Sequence, residues 1–586
     1  MAAASAPPGS PLGVLGGICY GRAAVSRRAI PLFPTTLRAG VRSGARAGGS
    51  LLVLLALSPV PGCGDGDLAT AADGGAGESG HGGSPGAAGS TPGEVGGRAG
   101  ASGGAAEGSC GDGVVDDGES CDGSVALKAS CQSLGFAAGE ARCREDCSGY
   151  DSSACESAAA IAVGDRHACY LSPAGAVRCW GDNSFGQLGQ GDHRARGDQP
   201  GELGGQLVPV DLGTERRAVA IAAGLTHTCA LLDGGALKCW GAAHAGQLGL
   251  GDTEARGDEP GEMGDALPIV ELGEGARVVS VTAGYLNTCV SLETDEIKCW
   301  GDNQFGQLGL GDTEARGDEA AEVGEVLPTV DLGGTAAVAV LQIGFGSVCA
   351  LLRDGRVKCW GANSHGELGL GDTEARGDEP GEMGDALPSV ELGREFEVRS
   401  LGGGMWHRCA VGYAGEVKCW GYNVLGQLGL GDREARGDQP GEMGDALPAV
   451  ALPAGTGVRE VAAGSVFTCA RSEQDRVYCW GGNGEGSIGL PGVRQIGVAP
   501  GELGAEMPSL DLGENLVARQ LVARTGTACV LFGRRSGEDG PDAQDELAGV
   551  KCWGANSAGQ LGLGDTAPRG IEPGSMGDAL PFVDLP

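Results

Sequence analysis

Aromatic residues make up only 4% of the 586-residue chain, histidine occurs seven times, and no uninterrupted apolar run is long enough to cross a membrane. Each scarcity excludes something. So few aromatics cannot fill one large uniform core, and seven scattered histidines leave little material for metal or acid–base chemistry. The run Leu51-Leu-Val-Leu-Leu-Ala-Leu57 falls far short of the roughly 20 residues that span a bilayer. Basic residues are also in the minority: 41 Lys and Arg face 77 Asp and Glu, for a net charge of −36. Six arginines and no acid lie in residues 1–62, so −36 less those six leaves −42 on the remainder. Such a surface gains nothing from counterion release on a phosphate backbone, and basic residues cluster nowhere, which excludes nucleic acid as a partner.

What the chain does have, in quantity, is glycine, 114 residues of it, and an ordered series of compositional segments. Residues 1–62 place an Arg-rich stretch before the apolar run and Val60-Pro61-Gly62-Cys63 after it, the layout of an export signal. The basic stretch is longer than such signals need, which fits initiation near Val41, with the first 40 or so residues untranslated. The ending resembles a bacterial lipoprotein box; the resemblance implies lipidation of Cys63 and a membrane contact made only through that anchor, with simple secretion as the alternative. Residues 63–109 are Gly, Ala and Ser with nothing large to bury and read as a disordered tether. Residues 110–157 hold six cysteines (Cys110, Cys121, Cys131, Cys143, Cys147, Cys155) among few apolar residues, and an even count in an exported segment predicts three disulfides, with fifteen pairings open. The stretch from Cys110-Gly-Asp-Gly-Val-Val to Cys121-Asp122 resembles cysteine-rich repeats of myxobacterial surface proteins, which implies a bacterial surface protein, outer-membrane or cell-surface in location. Its acids are better explained as solvated turn carboxylates than as Ca²⁺ ligands, and the module has no His for a zinc site.

From residue 158 to 586 the chain repeats. Cys169, Cys229, Cys289, Cys349, Cys409, Cys469 and Cys529 follow one another at intervals of 60, each trailed by a tryptophan: Trp180, Trp240, Trp300, Trp360, Trp420, Trp480 and Trp553. The second copy offers Val219–Gly224, Thr228–Leu232, Ala236–Trp240 and Leu267–Leu272 as four short strands, with no helical apolar period. Seven such copies predict an all-β chain: a seven-bladed β-propeller preceded by the small disulfide-rich module and the tether. Asp233-Gly234-Gly235 forms a three-residue hairpin loop that sets Cys229 opposite Cys239, within disulfide reach. The same spacing pairs Cys169 with Cys179, Cys289 with Cys299, Cys349 with Cys359, Cys409 with Cys419, Cys469 with Cys479 and Cys529 with Cys552, the last around a loop expected to run from Gly533 to Ala548.

The pattern Val-x-x-Ile-Ala-Ala-Gly-x-x-His, then Cys-Trp-Gly, then Asn-x-x-Gly-Gln-Leu-Gly is similar to the regulator of chromosome condensation repeat. Gly164, His167, Trp180, Gly181, Asn183, Gly186, Leu188 and Gly189 carry it in the first copy. The resemblance implies the seven-bladed fold and a superfamily that includes propeller-type β-lactamase inhibitory proteins. The blade cysteines and the longer acidic segment, such as Asp252–Pro268, depart from the family and suit an extracellular variant. The guanine-nucleotide exchange of the family's eukaryotic members is disfavoured, because an exported protein would not meet a cytosolic GTPase.

Candidate sites are sparse. His167, His227 and His407 share one repeat position, where Asn287, Ser347, Phe467 and Thr527 stand in the other copies, so they form no ligand ring and are expected to satisfy backbone at a blade turn. No catalytic constellation emerges, and no cofactor is called for beyond a Ca²⁺ reading of the acidic loops that solvated turns explain as well. The five Arg-Gly-Asp triplets, beginning at Arg196, Arg256, Arg316, Arg376 and Arg436, resemble an adhesion motif and are read as charged turns copied by duplication. The informative positions differ between copies. The loops after strands one and three emerge at one end of the disc and present Phe185, Tyr285, Phe305, Phe345, Met405, Trp406, Tyr422 and Leu425, with His365 among them. Aromatics on varied loops are hot-spot material, so a monomer that binds a protein partner by this face is expected, with a secreted hydrolase inhibitor as the alternative.

Overall fold

Short aliphatic runs broken by Asp-Gly and Gly-Gly turns pair most readily with their own neighbours, and the fold is built from such local pairings. The computed structural model describes residues 159–586, apart from 335–336 and 535–545, together with four two-residue strands between Ala138 and Glu156. The export segment, Cys63, the tether and most of the cysteine-rich module lie outside the described residues. Of the module, Ala138–Gly139 pairs with Cys155–Glu156 and Arg142–Cys143 with Tyr150–Asp151.

Each repeat folds into an antiparallel meander. In the second blade Ala218–Ala223, His227–Leu232 and Leu237–Gly241 lie side by side, with Cys229 directly across from Cys239. Gly234 and Gly235 close the hairpin at φ of +86° and +85°, a region that bulkier residues enter at a cost. The seven cysteine pairs are bonded, with S–S lengths between 2.02 and 2.11 Å.

The expected fourth strand departs from this pattern. Its segment is extended but forms no ladder: Val270 N donates to Leu237 O at 2.9 Å, and the equivalent single bond recurs at Val210, Val330, Val390, Val450, Leu510 and Val583. Proline just before it, Pro268 in the second copy, removes a donor from this segment; the far end of strand three is met instead by the Arg256 segment, which bridges Gly241, recurs in five other blades and becomes a two-residue fourth strand, Gln495–Ile496, in blade six. The seventh hairpin also departs from expectation, because Thr527–Arg534 and Glu546–Gly554 pair as far as Arg534 opposite Glu546, into what was expected to be loop.

The first strands of all seven blades line an axial channel of about 280 Å³. Apolar cores fill the seams between adjacent blades, each centred on a fully buried tryptophan. Every tryptophan donates its indole N–H to a carbonyl of the preceding blade: Trp240 to Gln187 at 3.1 Å, Trp300 to Gln247 at 3.1 Å, and so around to Trp553 and Ser487. Trp180 closes the series by donating to Gln560 at 3.0 Å, and Ile161, Trp180, Leu531 and Val583 form the core of that last seam. The ring therefore closes with the same contacts that join its internal blades.

A candidate binding face

Constant residues present the variable ones. In the loop after strand three, Asn303 donates to Asp312 O and Glu314 O at 2.9 Å and accepts from Leu308 N at 2.9 Å, while Gln307 accepts from Phe305 N at 2.9 Å. The same Gln bond holds Phe185 and Leu425, and Glu367 substitutes for it at His365. This loop is tied to the loop after strand one, as where Tyr422 N donates to Trp406 O at 2.9 Å. Two loops per blade thus form one rigid platform whose outward side chains are free to differ.

On blades three to five those side chains touch. Tyr285 meets Phe345 edge-on at 5.1 Å, Phe305 lies 6.3 Å from Phe345, Phe345 6.0 Å from Trp406, and Trp406 5.8 Å from Tyr422, with His365 against both Trp406 and Tyr422. The offset and edge-on geometry is the favoured one for rings. Gly346, at φ of +70°, makes room for the Phe305 ring. Tyr285 is buried, at 7% exposure, while Phe305, Phe345, Met405, Trp406 and Tyr422 are half-buried. Phe185, at 44% exposure, stands apart on blade one near His244, and Leu425 packs toward Gly482 of the next blade. Blades two and seven, which flank blade one, carry Ala245 and Ala558 at the position held by Phe185, Phe305, His365 and Leu425.

The histidines do something other than expected. His167, His227 and His407 are fully buried, and each Nε2 meets a threonine hydroxyl of the next blade, Thr228, Thr288 or Thr468, at 2.8 to 3.0 Å. Each hydroxyl donates onward to a Gln carbonyl, so it must accept from the imidazole, which fixes the neutral Nε2–H tautomer. Burial lowers their pKa to about 4 for His167 and about 3 for the other two. They are seam struts. At His365 the Ser364 hydroxyl, at 3.0 Å, and the Glu367 carboxylate, at 4.0 Å, both address Nδ1, so no carboxylate–imidazole–hydroxyl relay is assembled.

The acidic segments are internally spent. Asp252 pairs with Arg256 at 2.7 Å, Glu262 accepts from the backbone N–H of Gly257, Asp258 and Glu259, and Asp265 accepts from Thr214. Among the described residues no three acidic, His or Cys side chains converge as metal ligands. The arginines of the Arg-Gly-Asp triplets are 17 to 21% exposed and tied back to an aspartate four residues earlier, so the triplets are folded into the rim.

Two residues at the seams escaped sequence reasoning. Arg408 is fully buried and donates to the Ser347 hydroxyl at 2.5 Å and to the carbonyls of Ser347, Gly404 and His407. Burial pulls its pKa down to about 10, and burial raises that of Glu367, whose charge faces it. Arg524, on the first strand of blade seven, reaches across the channel mouth to Ala223 O at 2.7 Å and Ala283 O at 3.0 Å, beneath the Tyr285 ring. Arg524 was visible as a break in the repeat, since it stands where six copies have Gly; Arg408 occupies a position that varies among Ala, Thr and Val, and only its neighbour Glu367, where five copies have Gln, marked the site.

Comparison with known proteins agrees with this architecture. Models of the regulator of chromosome condensation repeat match residues 158–187, 174–231, 218–247, 278–307, 338–367 and 458–487. The ultraviolet-B receptor UVR8 of Arabidopsis thaliana is 29% identical over 357 residues, 60% of this chain and 68% of the receptor. The human E3 ubiquitin-protein ligase HERC2 is 31% identical over 276 residues, which cover 46% of this chain and 5% of the ligase. A solved structure of Kap60 bound to yeast RCC1 (Prp20) superposes with a TM-score of 0.50 at 18% identity, over 71% of this chain and 84% of that one, a likeness of fold.

Proposed function

We propose that this chain, a seven-bladed propeller carrying regulator of chromosome condensation repeats, is a non-catalytic protein-binding module that recognises its partner through the loop face of blades three to five. The aromatic arc from Tyr285 to Tyr422 carries the reading. Half-buried rings held on a rigid platform lose little entropy on binding, which is what makes aromatic clusters interface anchors. The varied face on a constant scaffold supports recognition of a particular partner. The exported, surface-tethered setting rests on the seven buried disulfides, which suit an oxidising compartment, and on the Cys63 anchor expected from the sequence. Proximity labelling on native cells, comparing the unaltered protein with a Phe345→Ala, Trp406→Ala variant, tests the binding reading: a neighbour lost only in the variant is expected, and identical neighbours would overturn it. Cys63→Ser should release the protein from the membrane fraction, and unchanged fractionation would remove the anchor.

A further inference from the structure

The end of the first strand is glycine in six blades: Gly164, Gly224, Gly284, Gly344, Gly404 and Gly464. In blades one, two and five a Cβ there would lie 2.2, 2.1 and 2.7 Å from the imidazole Cε1 of the buried histidine that follows. Blade seven has Thr527 in place of that histidine, and the freed space admits Arg524. Its Nη1 donates to Ala223 O and Ala283 O, and its guanidinium carbon sits 5.4 Å from the centre of the Tyr285 ring. An arginine carries five N–H donors, so Nε and Nη2 remain. Among the described residues no carboxylate reaches ion-pair distance of it; Asp165 acts on it only through its field.

Beside Arg524, at the channel mouth on the loop face, lies a recess of about 50 Å³ lined by Tyr285, Gln342, Met405, Thr525 and three glycines. The Gln342 amide is spent on Gly403 O at 3.0 Å, which leaves the Arg524 guanidinium, the Tyr285 phenol and the Thr525 hydroxyl, buried without a hydrogen-bond partner, as the side-chain polar groups of the recess. Thr525 is β-branched yet held at φ of +46°, a conformation that costs free energy and is found where a site demands it. Convergent donors with no acid in the lining select an anion, and a volume between one and two waters, at roughly 30 Å³ each, admits a carboxylate head.

We propose that this recess is a carboxylate-binding subsite in which Arg524 is the anchoring cation, and that the group it receives is a carboxylate of the protein docked on the aromatic arc beside it. The second half rests on the arc being the docking face; the subsite itself is testable without a partner.

The test is an NMR titration of the full chain with benzoate, with benzamide as the neutral isostere and inorganic phosphate as the competing anion. Benzoate binding is expected, with benzamide and phosphate each at least tenfold weaker. Arg524→Gly, which installs the residue of the other six blades, should weaken benzoate about tenfold or more, as loss of a charged hydrogen-bond partner does. Tyr285→Phe, which removes only a hydroxyl, and Thr525→Val, which replaces a hydroxyl by a methyl and keeps the β-branch, should each weaken it about fivefold and guard against a folding defect in the arginine variant. Equal binding of benzoate and benzamide, tighter binding of phosphate, or unchanged benzoate binding by Arg524→Gly would overturn the subsite. Trp406→Ala separates the two readings: it should lose the protein partner and keep benzoate.

Discussion

A buried imidazole that cannot take up a proton without breaking a seam makes pH a probe of single residues. His167, His227 and His407 have folded pKa values of about 4, 3 and 3, below the ordinary 6.5. Above pH 6.5 folded and unfolded forms are both neutral; as pH falls below it the unfolded chain gains protons first, so stability drops until the folded pKa is reached. Each imidazole contributes a slope of about 1.4 kcal/mol per pH unit in that window. Buried carboxylates with raised pKa, Glu367 among them, act in the opposite direction, so the informative quantity is a difference. Chemical denaturation at pH 6.5 and 5.0 should show a smaller loss in the triple His→Asn variant, asparagine being the residue blade three carries at this position as Asn287. Equal losses would contradict the strut role. The partner of each histidine lies 61 residues on, in the next blade, which is why local sequence reading assigned it to backbone. The pairing was nonetheless legible between copies, since threonine follows at that offset in all three cases. The Ser347, Glu367, Arg408 group follows the same logic. Arg408→Thr alone leaves the Ser347 hydroxyl and three buried carbonyls without their donor and should cost about 3 kcal/mol, whereas reverting all three to His, Gln and Thr should recover most of it in urea unfolding. A triple variant as unstable as the single one would show the substitutions to be independent.

The hairpin is the element that the sequence determined most completely. A fixed ten-residue spacing and a three-residue loop leave one register for Cys229 and Cys239, and the strands adopt it. The fourth segment was misjudged because Leu267-Pro-Ile-Val-Glu-Leu272 reads as apolar and β-branched, while its proline removes a donor and the Arg256 segment meets the far end of strand three instead. Closing a loop of about ten residues contributes roughly 3 kcal/mol by restricting the unfolded chain. Replacing Cys229 and Cys239 together with Ala should therefore lower stability by about 3 kcal/mol in denaturant unfolding, plus whatever packing is lost at a fully buried site. An unchanged midpoint would mean that blade pairing alone sets the hairpin.

At the scale of the whole molecule, closure and recognition are both properties of the ring. Trp180 depends on the Gln560 carbonyl, so blade one is incomplete without the last residues of the chain. Deleting residues 555–586 should expose Trp180, red-shift the tryptophan emission and broaden the unfolding transition; an unaltered transition would show that blade one stands alone. The loop face was legible in outline, since two loops per repeat had to share one end. The continuity of its aromatic arc across blades three to five depended on which rings of different blades meet, a relation between residues as far apart as Tyr285 and Tyr422 that no single copy contains. The opposite face supplies a control, because Tyr413 is an aromatic at 66% exposure on a hairpin turn of blade five. The direct test is the affinity of the captured partner for three proteins: unaltered, Trp406→Ala and Tyr413→Ala. Recognition by the arc predicts a loss of thirtyfold or more, about 2 kcal/mol, for Trp406→Ala and none for Tyr413→Ala; equal affinities, or a loss at Tyr413 alone, would contradict it.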